Sequence, residues 1–154
     1  MEIKIGLSVQ SRQSISSGLA TLLANTYTLY LTTQNFHWNV SGMEFFNYHL
    51  LFEKQYEELS QVVDEIAERM RALGHYVDGT FAGFQAQATI TQVDKVLNIK
   101  DMLTHLIDGH EHLITHARNL ASIADREGDF ATVDMIGRRL GAHEKMAWFL
   151  RSSL

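Results

Sequence analysis

Cysteine and proline are both absent from this chain of 154 residues. Without cysteine there is no disulfide framework, no thiolate zinc site, no Fe–S cluster and no cysteine nucleophile. Any bound metal must be held by His, Asp and Glu. Without proline, and with few turn-forming dipeptides, nothing interrupts long helices. A run of about 18 apolar residues is also missing, so no membrane-spanning helix is expected. The chain begins without the basic start and apolar core of a signal peptide, which predicts a cytoplasmic protein. Excess positive charge is lacking too. Thirteen Lys+Arg against eighteen Asp+Glu give a net charge of −5, and such a surface repels phosphate backbones unless its basic residues cluster. They do not cluster: before the first expected helix stand only Lys4 and Arg12, with Glu2 beside them.

What is present is an ordinary globular composition, 45% apolar and 20% charged, long enough for one domain over residues 1–154 with a full core. Four segments carry apolar residues at the 3–4 spacing of an amphipathic helix. They run from Ile15 to Phe36, Phe52 to Leu73, Leu103 to Ala124 and Val133 to Leu150. The breaks are a short turn at Asn39 to Gly42, a long connection from about Gly74 to Asn98, and the turn Glu127-Gly128-Asp129. Thr80 to Gln87 predicts a short extra helix inside the long connection. Two hairpins joined by one long crossover is the connectivity of an all-α, ferritin-like four-helix bundle.

From Gln13 to Met43 there is no Asp, Glu, Lys or Arg. Ser, Thr, Asn and Gln are scattered throughout, which excludes a membrane span. An uncharged helix carrying Tyr27 and Tyr30 is expected to be covered on more than one side, by its own bundle and by neighbouring subunits.

The chemistry-bearing residues lie in His37-Trp38-Asn39-Val40-Ser41-Gly42, then Phe45, His49, Glu53, Asp64 and Glu68. His49 and Glu53 are four apart and share one face of the second helix, as do Asp64 and Glu68. The two pairs fall on one stripe, yet His49 and Asp64 are about 22 Å apart along the axis at 1.5 Å per residue. A metal ion needs its ligands within roughly 2–2.5 Å. The pairs therefore cannot meet within one chain. If two copies of the second helix pack antiparallel about a two-fold axis, the His49/Glu53 end of one faces the Asp64/Glu68 end of the other, twice per dimer. His37 falls on the His49 side. A mixed N/O ligand set without thiolate suits iron(II), and also Zn or Mn. The Glu-x-x-His pairs of a single-chain di-iron bundle do not occur.

The run His37-Trp38-Asn39-Val40-x-Gly42-x-x-Phe45-x-x-x-His49 resembles the signature of the Dps family, the DNA-protection-during-starvation proteins. Ala67-Glu68-Arg69 after Asp64, and His143-Glu144-Lys145-x-x-Trp148 near the end, are also similar to it. The resemblance implies a dodecameric homo-oligomeric shell that oxidises Fe(II) at inter-subunit sites, preferably with hydrogen peroxide, and holds a ferric mineral inside. Carried over position by position, the ferroxidase ligands are His37, His49, Asp64 and Glu68. Glu53 stands where many members have Asp, and ligates either directly or through water. Trp38 is read equally as an electron donor that quenches radicals and as an interface aromatic.

Other features are weaker. Asp101, His105, Asp108, His112 and His116 form a stripe on the third long helix, expected to be a solvated face rather than an auxiliary metal site. His110 and His143 sit in apolar seams and are expected to be satisfied core histidines. The resemblance places Asp125, Glu127, Asp129 and Asp134 at an acidic pore where three subunits meet. Plain surface acids fit equally, and Phe130 interrupts the set. DNA binding in the family relies on a Lys/Arg-rich tail. The start (Met1 to Ser8) and the end at Arg151-Ser152-Ser153-Leu154 supply none, so DNA binding is expected to be weak or absent. The competing readings are a structural DNA-compacting protein with little ferroxidase activity and a zinc- or manganese-binding shell without turnover.

Overall fold

The computed structural model describes residues 3–154; Met1 and Glu2, part of the nearly neutral start, lie outside it. The helices are α1 (Val9–Asn39), α2 (Phe45–Ala72), α3 (Phe81–Gln87), α4 (Ile99–Arg126) and α5 (Phe130–Arg151). Among the described residues there is no strand. The fold is the expected all-α bundle, with α3 as the short extra helix in the crossover. None of the described helices is long and apolar enough to cross a membrane.

Local chemistry sets the helix starts. Ser8, Thr80, Asn98 and Asp129 each accept a backbone N–H three residues on, the usual N-cap arrangement. α2 has no such cap. Its start follows Gly42, whose φ of +116° is open to glycine and strained for other residues, and the Phe45 N–H bonds the Gly42 carbonyl. This turn carries α2 further down the sequence than Gly42 before it begins. Arg12, read as preceding the first helix, lies inside α1 and donates to the Leu73 carbonyl at 2.8 Å.

The core is filled by residues such as Leu19, Phe36, Phe52, Ile66, Leu106, Leu120, Ile136 and Leu150. α1 lies at its centre and packs against α2, α4 and α3. Between Gly18 and His37 only Leu31 is exposed. This accounts for the uncharged stretch within the chain itself. Part of the extra cover over α1 comes from the chain's own crossover, beside any that neighbouring subunits supply. Phe84 of α3 stacks on Tyr27 at 4.7 Å. The Asn25 amide oxygen accepts the N–H groups of Thr89 and Ile90, tying α1 to the connection. Buried Thr26, Thr28, Thr32 and Thr33 satisfy their hydroxyls on carbonyls four residues back, so these four polar side chains are buried without orphaned donors.

Candidate metal centre

α1 ends two residues after His37, and the turn folds α2 back so that His49 meets it. The two imidazoles stack at 3.8 Å with planes 18° apart. Each holds the other's backbone. His37 Nδ1 donates to the His49 carbonyl at 2.8 Å, and His49 Nδ1 donates to the His37 carbonyl at 2.9 Å. A carbonyl only accepts, so both Nδ1 atoms carry the hydrogen and both Nε2 atoms of the neutral rings present a bare lone pair. The bond from His49 also satisfies one of the orphan carbonyls at the end of α1. Fixing the far nitrogen in this way is how metal-binding imidazoles are oriented.

Two more rings extend the stack. Phe45 lies 4.9 Å from His49, and the Tyr56 ring meets His37 edge-on at 5.1 Å. His37 is buried and His49 half-buried. Burial, then the charges of Glu53 and Glu57, push the Tyr56 phenol above its ordinary pKa, so it stays a neutral O–H.

The carboxylates lie elsewhere. Glu53 is half-buried one turn beyond His49, while Asp64 and Glu68 are exposed further along α2. Their neighbours Glu58 and Glu65 are tied to Arg139 and Arg138. Among the described residues, no three His, Asp or Glu side chains come close enough to enclose a metal ion. The chain thus brings two imidazoles together and leaves Asp64 and Glu68 apart from them. Trp38, although adjacent to His37, is exposed and lines a groove with Leu31, Asn35 and Gln92. No ring contact joins it to His37 among the described residues.

A family model described as a Ferritin-like domain matches residues 17–154. A DNA protection during starvation protein of Porphyromonas gingivalis is 32% identical, over 94% of this chain and 91% of its own length. A low temperature-induced protein of Nostoc sp. is 39% identical, over 97% of this chain and 85% of its own. The crystal structure of the Dps protein of Vibrio cholerae O1, described as one of the ferritin-like diiron-carboxylate proteins, superposes with a TM-score of 0.93. It shares 30% identity and covers 99% of this chain and 96% of the other. The chain belongs to the Dps family.

Several secondary features of this Dps chain differ from the expectations above. The stripe on α4 is not simply solvated. His116 Nε2 bonds the Gly18 carbonyl at 2.9 Å, His112 Nε2 meets Thr89 Oγ1 at 2.6 Å, and His105 packs edge-on to Phe36 at 5.9 Å. These histidines fasten α4 to α1 and to the connection. His110 and His143 are core residues as expected, bonded Nδ1 to Nδ1 at 3.0 Å. They are not fully satisfied, because His110 Nε2 is buried without a partner. Of the four acids at the α4–α5 turn, three are engaged. Glu127 accepts from Ser11, Asp134 pairs with Arg138, and buried Asp129 pairs with Arg69 at 2.5 Å. Burial raises the Asp129 pKa, but the bonds from Arg69 and Thr132 outweigh it and hold the carboxyl below its ordinary value.

Sequence reasoning left Tyr56 as one position within the amphipathic segment from Phe52 to Leu73 and missed its contact with His37. A signal was available: Tyr56 is seven residues beyond His49 and three beyond Glu53, which puts all three on one helix face.

Proposed function

We propose that the chain is a ferroxidase and iron store: a single domain over residues 1–154, assembled as a hollow homo-oligomeric shell, that oxidises Fe(II) with hydrogen peroxide or dioxygen. The carrying observation is the mutual hold of His37 and His49, which presents two bare Nε2 atoms side by side, while among the described residues no group of three His, Asp or Glu completes a site within the chain. A two-fold partner with its α2 antiparallel supplies them. His37 and His49 of one subunit then face Asp64 and Glu68 of the other, with Glu53 beside the imidazoles. The family's dodecamer is the assembly that fits such repeated two-fold sites.

Iron is the substrate here. Imidazole nitrogen and carboxylate oxygen together bind Fe(II) while leaving positions open for oxidant. His37 and His49 orient the ion through rings fixed by backbone carbonyls. Asp64 and Glu68 offset the charge that rises as Fe(II) becomes Fe(III). Consuming peroxide and Fe(II) together removes both reagents that generate radicals, which fits the protective role named in the starvation-protein relatives.

DNA compaction is not favoured. The net charge is −5, and Arg69, Arg118, Arg138, Arg139 and Arg151 each pair with a carboxylate of the same chain. The deciding experiment is an anaerobic Fe(II) titration followed by peroxide, with sedimentation to give the particle mass. Fast loss of Fe(II) coupled to peroxide, in an assembled particle, is expected. Oxidation no faster than in buffer, or full activity in a lone subunit, refutes the reading.

A further inference from the structure

Hydrogen peroxide takes up two electrons, whereas one Fe(II) yields one. A site holding a single Fe(II) therefore leaves an oxidising equivalent unspent. Fe(II) and H2O2 become Fe(III), hydroxide and a hydroxyl radical as the O–O bond breaks. That radical needs one more electron and a proton to become water. An imidazole beside it is exposed to irreversible attack unless a better donor is closer than the rest of the protein.

The structure offers a donor, and behind it a line of others. The Tyr56 ring touches His37 at 5.1 Å. Tyr30 lies 6.3 Å from Tyr56, and Tyr27 lies 5.7 Å from Tyr30. Phe84 stacks on Tyr27 at 4.7 Å and closes the line. Phenols are oxidised far more readily than a phenylalanine ring, so the path ends at Tyr27. Tyr27 is ten residues before His37 on α1, about 15 Å away along the axis. All three phenols are half-buried. Trp38 points into a different groove, without ring contact to His37 in its own chain.

We infer that Tyr56, Tyr30 and Tyr27 form a relay that carries the odd oxidising equivalent away from the His37/His49 centre. Tyr56 gives an electron and its O–H proton, the hydroxyl radical becomes water, and a neutral tyrosyl radical remains. Tyr30 then restores Tyr56 by the same transfer, and Tyr27 restores Tyr30. The inference rests on the ferroxidase reading above, and it assigns these tyrosines a role as redox relays rather than ligands.

The test uses the assembled protein, loaded anaerobically with less than one Fe(II) per imidazole pair, mixed with peroxide and freeze-quenched for electron paramagnetic resonance. Wild type is expected to show a tyrosyl signal, measured as radical yield per iron oxidised. Tyr56→Phe is expected to lose it, with oxidised His37, His49 or Met43 appearing in peptide mass spectra. The double variant Tyr27→Phe with Tyr30→Phe should oxidise iron at the wild-type rate and hold a shorter-lived radical on Tyr56. Trp38→Phe should keep the tyrosyl signal. Fast iron oxidation with no tyrosyl radical, or a signal lost in Trp38→Phe and kept in Tyr56→Phe, overturns the relay and leaves the ferroxidase reading standing. Failure of wild type to oxidise Fe(II) faster than buffer overturns both.

Discussion

His37 and His49 each donate a ring N–H to the other's backbone carbonyl, at 2.8 and 2.9 Å, so neither imidazole is oriented independently. Removing either ring takes away the other's stacking partner and leaves one carbonyl at the junction of α1 and α2 without its donor, while the remaining ring keeps its own backbone acceptor. Two groups that act as one unit show non-additive losses. His37→Ala and His49→Ala are each expected to lower the rate of fast Fe(II) oxidation nearly as far as the double variant does. Stopped-flow absorbance of the four proteins gives the coupling directly; simple multiplication of the two single losses would show that the rings work separately.

The division of the ligands along α2 predicts a complementation pattern. A chain lacking His37 and His49 and a chain lacking Asp64 and Glu68 should each be inactive alone. Refolded together, a mixed two-fold pair has one site with neither half intact and one site wholly intact. With random pairing of equal amounts, about a quarter of the wild-type sites return. Activity of the mixture after co-refolding measures it. No recovery in a mixture that assembles normally excludes sites shared in this way.

The bundle was readable from periodicity because apolar spacing and glycine position indicate the same helices. Ligand candidates were readable because His49, Glu53, Asp64 and Glu68 obey helical spacing, and their separation along one axis is arithmetic. What escaped was contact between elements. The mutual histidine bonds and the approach of Tyr56 to His37 depend on how α2 folds back after Gly42, which spacing within a helix does not describe. The same holds for the α4 histidines. Their even spacing suggested a solvated face, but the crossover, whose path has no periodic signal, lies over part of it and meets His112 through Thr89.

Buried Asp129 links three elements. It caps α5 through the Thr132 N–H at 3.1 Å and accepts Arg69 from α2 at 2.5 Å, while α4 ends just before it. Arg69→Met leaves that carboxylate buried without its counter-charge, which costs roughly 3–5 kcal/mol. The exposed pair Arg118–Glu144 is screened by solvent, and Arg118→Met is expected to change stability little. Urea unfolding of the two variants against wild type compares them. Equal small losses would show that the Arg69 pair is no more than a surface contact.

His110 and His143 predict how the bundle responds to acid. Burial holds the His110 pKa well below 6.5, with His143 adding to the effect. Burial, and then the charge of Arg139, lower His143 from 6.5 to about 3. The folded chain keeps both rings neutral while the unfolded chain protonates them as pH falls through 6.5. The unfolded state then binds more protons, so stability declines as acid is added, by about 1.4 kcal/mol per pH unit for each ring. The decline runs from near pH 6.5 down towards pH 3, where His143 protonates in the folded state as well. Asp129 contributes in the same direction only at the acid end, because its unfolded carboxyl titrates near 3.8. Replacing both histidines by Leu removes the titration and the unpartnered His110 Nε2 together. The double variant is therefore expected to have a flatter stability curve between pH 6 and pH 4 than wild type, by about 3 kcal/mol per pH unit at most. Chemical unfolding at matched protein concentration across that range decides it, and parallel curves for the two proteins would mean that the buried pair takes up protons without unfolding.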